Sequence, residues 1–96
     1  MNEIQTTETF DEWIADLGDA KARGIIIARI ERMRAGNFGD SKSVGEGVSE
    51  LRIDYGPGYR VYFTKRNGKT VILLCGGDKS SQKSDINLAR GIATNM

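Results

Sequence analysis

The chain has 96 residues, 39% of them hydrophobic, which is enough for one small domain with a single core over residues 1–96. Its net charge of +1 argues against a protein that holds nucleic acid by bulk positive charge. The charges are unevenly spread, because residues 1–19 carry six acids and no bases, whereas residues 20–96 carry fourteen bases and seven acids. A cationic site is therefore predicted in the later segment.

Several kinds of site are disfavoured by the residues that the chain lacks. There is no histidine and no group of cysteines or paired carboxylates at ligand spacing, so we expect neither a metal site nor a cofactor. The one cysteine, Cys75, lies in an apolar run, which favours a core position in a reducing compartment. No signal-peptide pattern opens the chain, and no apolar run reaches the length of a membrane span. We expect a cytoplasmic protein.

A short strand over Glu3 to Thr7 and then a helix are predicted first, with Thr7 or Thr9 as the helix cap and Gly18 as its end. Apolar side chains recur at i, i+3, i+4 and i+7 in this helix, which indicates one buried face. They are Phe10, Trp13, Ile14 and Leu17.

A second helix follows, with Asp19 as its predicted N-cap and Gly36-Asn37 as its end. Its buried stripe is Ala22, Ile26, Ile30 and Met33. Three arginines near its C-terminal end are interpreted as solvated cations that suit the helix dipole, with ribosomal RNA contact as the alternative. They are Arg29, Arg32 and Arg34.

Four strands are predicted next, the first a short one over Ser41 to Val44. The second runs from Val48 to Tyr55 and alternates between a core face and a solvated face. The core face is Leu51, Ile53 and Tyr55, and the solvated face is Glu50, Arg52 and Asp54. Across the turn at Gly56-Pro57-Gly58 we expect three pairs, Tyr55 with Tyr59, Ile53 with Val61, and Leu51 with Phe63. Arg52 and Arg60 then share the solvated face.

The last part of the chain contains a second hairpin turn, an apolar strand and a helix. Asn67-Gly68 is the predicted turn, and the run Thr70 to Cys75 is typical of an interior strand covered on both faces. Ser80 or Ser81 is the predicted cap of a C-terminal helix whose buried side includes Ile86, Ala89 and Ala93. The fold class is α+β, with the helices on one side of a mostly antiparallel sheet.

Four motifs after the helical hairpin resemble those of a known family. They are GNFGDSK, GVSELRI, GPGYRVYF and GGDKSSQKSDI. In this order they resemble the RelE/ParE superfamily of bacterial toxin–antitoxin toxins, in particular its HigB-like branch of addiction module killer proteins. The resemblance extends from about Phe10 to Ala93. It implies a RelE-like twisted sheet with an N-terminal helical hairpin packed on it and a short C-terminal helix.

The same resemblance implies a function, which is to enter the ribosomal A site, cut mRNA and so inhibit translation. It also implies a cognate antitoxin as partner, often a helix-turn-helix protein in this branch. Arg52, Arg60 and Lys79 fall where such toxins place the cations that bind the scissile phosphate. RelE carries lysines where this chain has Val48 and Glu50, and an aromatic hydroxyl where it has Asp85, so the RelE acid and base are not retained.

Cleavage by the neighbouring 2′-hydroxyl needs a base, a proton donor and positive charge beside the phosphorane. Arginine stays protonated, so Arg52 and Arg60 can bind the phosphate but cannot accept a proton. Lys79 is the predicted donor, and Asp85 is the candidate base if it faces the same concavity. The predicted enzyme is a metal-independent endoribonuclease. Lys42, Tyr62 and Gln82 are the candidate RNA-binding residues, with Tyr62 stacking on a base.

Each residue also has a structural interpretation. Asp54 and Arg60 could form an ordinary cross-strand pair, Arg52 could be a solvated strand residue, and Asp85 could be a first-turn acid that suits the helix dipole. Gly76-Gly77 could leave backbone amides exposed for an anion. Two other functions stay open on the same scaffold, namely a ParE-like poison of DNA gyrase and a non-catalytic binding module.

Overall fold

The computed structural model describes all 96 residues, Met1–Met96, and is built on one five-stranded sheet. Its elements in chain order are β1 (Glu3–Thr6), α1 (Glu8–Asp16), α2 (Ala20–Arg34), β2 (Ser41–Gly45), β3 (Val48–Ile53), β4 (Tyr59–Arg66), β5 (Thr70–Gly77) and α3 (Gln82–Thr94). The strand order is β1-β5-β4-β3-β2, with β1 parallel to β5 and all other neighbours antiparallel. The predicted α+β class is confirmed. No helix combines the length and apolarity that crossing a membrane requires.

The two N-terminal helices form as their sequence predicts. Thr7 caps α1 by accepting from the Phe10 amide at 3.0 Å, and Asp19 caps α2 by accepting from the Ala22 amide at 3.0 Å. After α2 the Gly36 amide donates to the Met33 carbonyl, which satisfies one of the last free carbonyls of the helix. The predicted apolar faces of both helices pack on one face of the sheet.

The C-terminal helix packs on the opposite face of the sheet from the N-terminal hairpin, so the predicted placement of helices on one side holds for α1 and α2 but does not extend to α3. Ala89 of α3 is fully buried, in a second apolar cluster with residues of β3, β4 and β5. The strand β5 therefore lies between two helical layers, as its continuous apolar run predicts. Its residues divide between the layers, with Val71 and Leu73 toward α1 and α2, and Ile72, Leu74 and Cys75 toward α3.

The pairing of β3 with β4 differs from the prediction by two residues. Ile53 pairs with Tyr59 and Leu51 with Val61, so the connecting loop is longer than the predicted turn. A shift of two residues keeps every side chain on its predicted face, because the side-chain period of a strand is two. It also places Arg52 directly opposite Arg60. The β4–β5 turn is as predicted, with φ of 56° at Asn67 and 70° at Gly68.

Candidate functional site

A polar cavity of about 440 Å³ opens at the end of the sheet where β3, β4 and β5 meet the loops. Seven residues line it: Asp40, Arg52, Ile53, Asp54, Gly58, Arg60 and Lys79. Three of the seven are the cations that the sequence predicted for one site. The structure therefore brings Arg52, Arg60 and Lys79 together, although they come from two strands and the turn after a third.

Arg60 is held from two sides. Its Nη1 donates to the Gly58 carbonyl at 2.8 Å, and its Nε lies 3.5 Å from Oε2 of Glu50. Only 12% of its side chain is exposed. Gly58 has a φ of 80°, a left-handed backbone conformation that favours glycine there. Arg60 is therefore a preorganised donor at the rim of the cavity, and its predicted pair with Asp54 does not form.

Arg52 lies across from Arg60 and is paired with a carboxylate of the same cavity. Its Nε and Nη2 donate to Oδ1 of Asp40 at 3.1 and 2.8 Å. The hydrogen bonds with Asp40 raise the pKa of Arg52. The backbone of Arg52 is fixed from below, because Nη1 of Arg29 donates to its carbonyl at 2.8 Å. Arg29 is thus a structural contact of the site, not the solvated cation that its sequence position indicated.

Lys79 and Asp54 are the charged groups of the cavity that form no ion pair. Lys79 begins the 3-10 turn Lys79–Ser81 after β5, and its amide donates to the Pro57 carbonyl at 3.4 Å. No carboxylate lies within ion-pair distance of Lys79, and no cation lies within that distance of Asp54. Both residues are exposed. The cavity therefore offers one free cation and one free carboxylate beside two paired arginines.

Asp85 does not line this cavity. Its Oδ2 accepts from the Ser81 hydroxyl at 2.5 Å, and its carboxylate lies against Gly77, where an added Cβ would collide with it. On the other face of β5, the ring of Trp13 occupies the space that a Cβ of Gly76 would need. Gly76 and Gly77 are therefore required by close packing on both faces of the sheet. Both residues pair with β4, and Gly77 is buried while Gly76 is half-buried, so the interpretation that their amides serve an anion stays a prediction.

The three candidate RNA-binding residues also lie outside the cavity. Tyr62 has no exposed surface, because α3 covers the face of the sheet that was predicted to be solvated. The prediction that it is accessible to a base is wrong, and burial raises the pKa of its hydroxyl. Gln82 is half-buried and points to the same covered face, and Lys42 is exposed on the edge strand β2 opposite Glu50.

Glu50 is the residue of this region that sequence reasoning missed. The alternation of β3 predicted a solvated carboxylate, yet its exposed fraction is 0%. Its Oε2 accepts from Gln82 at 2.8 Å and from Tyr62 at 3.4 Å, in addition to the contact with Arg60. Ser81 occupies the N-cap position of α3, as predicted, but its side chain makes no capping hydrogen bond, and the 3-10 turn before α3 is capped by Asp78, which accepts from the Ser80 amide at 2.8 Å. Its hydrogen bonds with Ser80 lower the pKa of Asp78.

In chemical terms the cavity presents cationic hydrogen-bond donors to one small space. Its lining carries three cations and two carboxylates, a net charge of +1. Arginine at two corners provides planar groups of donors that match phosphate oxygens, and lysine provides a mobile point charge. No group of three or more acids and cysteines in the chain is arranged to hold a metal ion.

Comparisons with known proteins agree with this architecture. A family model described as Phage derived protein Gp49-like (DUF891) matches residues 12–95. An uncharacterized protein of Haemophilus influenzae Rd is 54% identical over 94 residues, which cover 98% of this chain and 95% of that protein. RelE in the crystal structure of the intact Escherichia coli RelBE toxin–antitoxin complex superposes with a TM-score of 0.69. That match covers 81% of this chain and 96% of the other at 15% identity, which confirms the predicted RelE-like fold.

Proposed function

The chain belongs to the Gp49-like family, which is a RelE/ParE-type toxin family, and we propose that it inhibits translation by cutting mRNA on the ribosome. The observation that carries this proposal is the convergence of Arg52, Arg60 and Lys79 on one cavity, with Arg60 held rigidly at its rim. Preorganised donors of this kind stabilise charge that develops on a phosphate during reaction. The remaining chemistry follows from the groups that share the cavity.

The proposed reaction is an in-line attack of a ribose 2′-oxygen on the adjacent phosphorus. The 2′-hydroxyl gives its proton to Asp54, the O2′–P bond forms and the P–O5′ bond breaks. Lys79 gives a proton to the departing 5′-oxygen. The products are a 2′,3′-cyclic phosphate and a 5′-hydroxyl, and solvent then restores both protonation states. Asp54 replaces Asp85 as the candidate base, because Asp54 lines the cavity and has no cation partner.

The two arginines play different parts in this scheme. Arg60 has donors left for phosphate, since within the protein only its Nη1 makes a hydrogen bond. Arg52 is bonded to Asp40 through Nε and Nη2 in the free protein, which leaves Nη1 for the phosphate unless Asp40 is displaced. Arg60 is therefore the main phosphate ligand, and Arg52 assists it.

Arg60→Lys is the substitution that tests the proposal most cleanly. Arg60→Ala would also leave the buried Glu50 carboxylate without its cation and so reduce stability for a reason unrelated to RNA. Lysine keeps the positive charge but cannot donate in the planar arrangement of a guanidinium. We expect Arg60→Lys to relieve growth inhibition in bacteria at equal expression and to weaken, through a slower cleavage rate, the cut sites that primer extension maps in mRNA.

Arg66→Lys is the matched control, since Arg66 is an exposed arginine at the far end of the same strand. It should remain as toxic as the wild type. An Arg60→Lys protein that cuts the same messages at the same rate would show that the cavity is not the phosphate site.

A ParE-like action on gyrase is the second candidate, favoured by the modest net charge of the cavity lining and by the lack of histidine. It needs no acid or base. If the purified wild-type protein cuts no message but blocks supercoiling by gyrase with accumulation of cleaved DNA complexes, this second candidate replaces the first. If neither activity appears, the chain acts as a binding module on the same scaffold.

An antitoxin is the proposed partner, since the RelE match comes from a toxin–antitoxin complex. We propose that it covers the cavity with an acidic or apolar segment, because such a segment complements Arg52, Arg60 and Lys79. Of these three cations Lys79 alone is free of an ion pair, so it is the most available to an acidic partner.

A further inference from the structure

A buried carboxylate lies directly behind the candidate phosphate ligand. Glu50 on β3 has no exposed surface, and its three polar neighbours come from β4 and α3. All three contact one carboxylate oxygen, Oε2. It accepts hydrogen bonds from Gln82 at 2.8 Å and Tyr62 at 3.4 Å, and it lies 3.5 Å from Nε of Arg60. The other oxygen, Oε1, is buried and has no hydrogen-bond partner.

Arg60 is the only charged one of these neighbours, and its contact with Glu50 has a specific geometry. Nε of Arg60 is buried and makes no hydrogen bond, and the only carboxylate within ion-pair distance of Arg60 is that of Glu50, at 3.5 Å. Buried ions are costly unless they are paired, which makes the two groups mutually dependent. The Nη1 contact with Gly58 fixes the guanidinium from a second direction. The remaining donors on Nη2 have no partner within the protein.

We propose that Glu50 is a positioning residue that sets the orientation of Arg60 toward the phosphate. The inference rests on the proposed function and adds to it a residue that never touches RNA. Glu50 cannot itself be the base, since it is completely covered by protein. It holds the Nε edge of Arg60 inward, so that the opposite edge of the guanidinium is presented to the cavity.

The contact between Glu50 and Gln82 connects the orientation of Arg60 to the packing of α3 on the sheet. Gln82 is the first residue of α3, and its side-chain amide donates to the same oxygen that faces Arg60. The packing of α3 on the sheet therefore helps to position the Glu50 carboxylate, and this carboxylate positions Arg60. Tyr62 on β4 donates a hydrogen bond from its hydroxyl to Glu50, and its buried ring helps to cover the α3 side of the sheet.

The first experiment needs no activity and no variant. Exchange of the Arg60 Nε–H with solvent is measured by NMR in the wild-type protein and compared with that of Arg66 Nε–H on the same strand. We expect exchange at Arg60 to be at least tenfold slower, because the group is buried against Glu50. Equal rates at the two arginines would overturn the proposal, even if the protein proves to cut RNA.

The second experiment uses Glu50→Gln, which removes the charge but keeps the size of the side chain. Exchange at Arg60 should rise at least fivefold in this variant. Glu46→Gln is the matched control, because Glu46 lies 3.7 Å from Arg90 in an exposed pair. It should leave exchange at Arg60 unchanged. If Glu50→Gln fails to fold, Gln82→Ala serves instead and should accelerate exchange at Arg60 in the same direction; no acceleration would contradict the proposal.

The third experiment separates positioning from mere stability by a double-mutant cycle in single-turnover mRNA cleavage. Glu50→Gln should lower the rate constant at least tenfold in the wild-type background, with the half-saturating RNA concentration changed less than threefold. In the Arg60→Lys background it should change the rate less than twofold. Equal losses in both backgrounds would show that Glu50 does not act through Arg60. If the wild type cuts no RNA, the proposed function fails, and the exchange measurements still decide whether Glu50 positions Arg60.

Discussion

Gly77 and Gly91 provide a paired test of how α3 packs on the sheet. A Cβ added at Gly77 would collide with the Asp85 carboxylate and lie 2.9 Å from Oγ of Ser81, whereas a Cβ added at Gly91 would meet nothing within 4 Å. Gly91 lies inside α3 and is exposed. The same substitution, glycine to alanine, should therefore have opposite effects at the two positions.

The expected magnitudes follow from packing and helix propensity. Gly77→Ala forces α3 away from the sheet, and overpacking of this kind costs about 1–3 kcal/mol. Gly91→Ala should stabilise the helix by about 0.5–1 kcal/mol, because alanine has less conformational freedom to lose and buries nothing unfavourable. In a domain of this size each kcal/mol shifts the Tm by roughly 4–8 °C.

Thermal unfolding followed by circular dichroism measures both effects. We expect the Tm of Gly77→Ala to fall by at least about 4 °C and that of Gly91→Ala to rise by about 2–8 °C. The loss at Gly77 should be smaller when Asp85→Ala is already present, because the colliding carboxylate is then gone. A Gly77→Ala protein with an unchanged Tm would refute the placement of Asp85 and, with it, the exclusion of Asp85 from the cavity.

Three further predictions follow from the described contacts. Burial, with a smaller contribution from Asp85, raises the pKa of Cys75 to about 12, so at pH 8 about one thiol in 10⁴ is ionised. Iodoacetamide should accordingly label Cys75 only after unfolding in urea, and rapid labelling of the native protein would contradict its buried position. Asp40→Asn removes the carboxylate that competes for Arg52 and should tighten binding of a short RNA at low salt by about threefold, which a fluorescence-anisotropy titration checks. Weaker binding would show that Asp40 assists the phosphate site. Lys79→Glu should weaken the complex with the cognate antitoxin and increase its salt sensitivity in calorimetry, whereas an unchanged complex would place inhibition on a distant surface.

The amphipathic helices and the strand faces could be predicted from sequence because their apolar periods are regular. Trp13, Ile26 and Leu51, for example, all contact the core that their spacing indicated. The register of β3 and β4 could not be fixed in this way. A shift of two residues leaves Tyr59 and Val61 on the core face, so the side-chain pattern is equally satisfied by both pairings. Only the length of the loop between the strands distinguishes them.

The cations of the candidate site could be predicted from sequence, but the buried residues behind them could not. The three cations lie on a shared strand face and the following turn, and the cavity contains all of them. The alternation of β3 shows that Glu50 points away from the first core, but it cannot show that α3 covers that second face. The same covering helix removes Tyr62 from solvent. Asp54 was overlooked as a base because it was expected to pair with Arg60. In the structure Arg60 pairs with Glu50 instead, which leaves Asp54 free.

The proposed reaction cleaves mRNA by attack of its own 2′-hydroxyl in the cavity of Arg52, Arg60 and Lys79. The most direct test is a programmed ribosome that carries an end-labelled message, with either the native nucleotide or its 2′-deoxy analogue at the cut position of the A-site codon. We expect the wild-type protein to cut the native message to a 2′,3′-cyclic phosphate and to leave the deoxy message intact. Cutting of the deoxy message at a comparable rate would show that the 2′-hydroxyl is not the nucleophile.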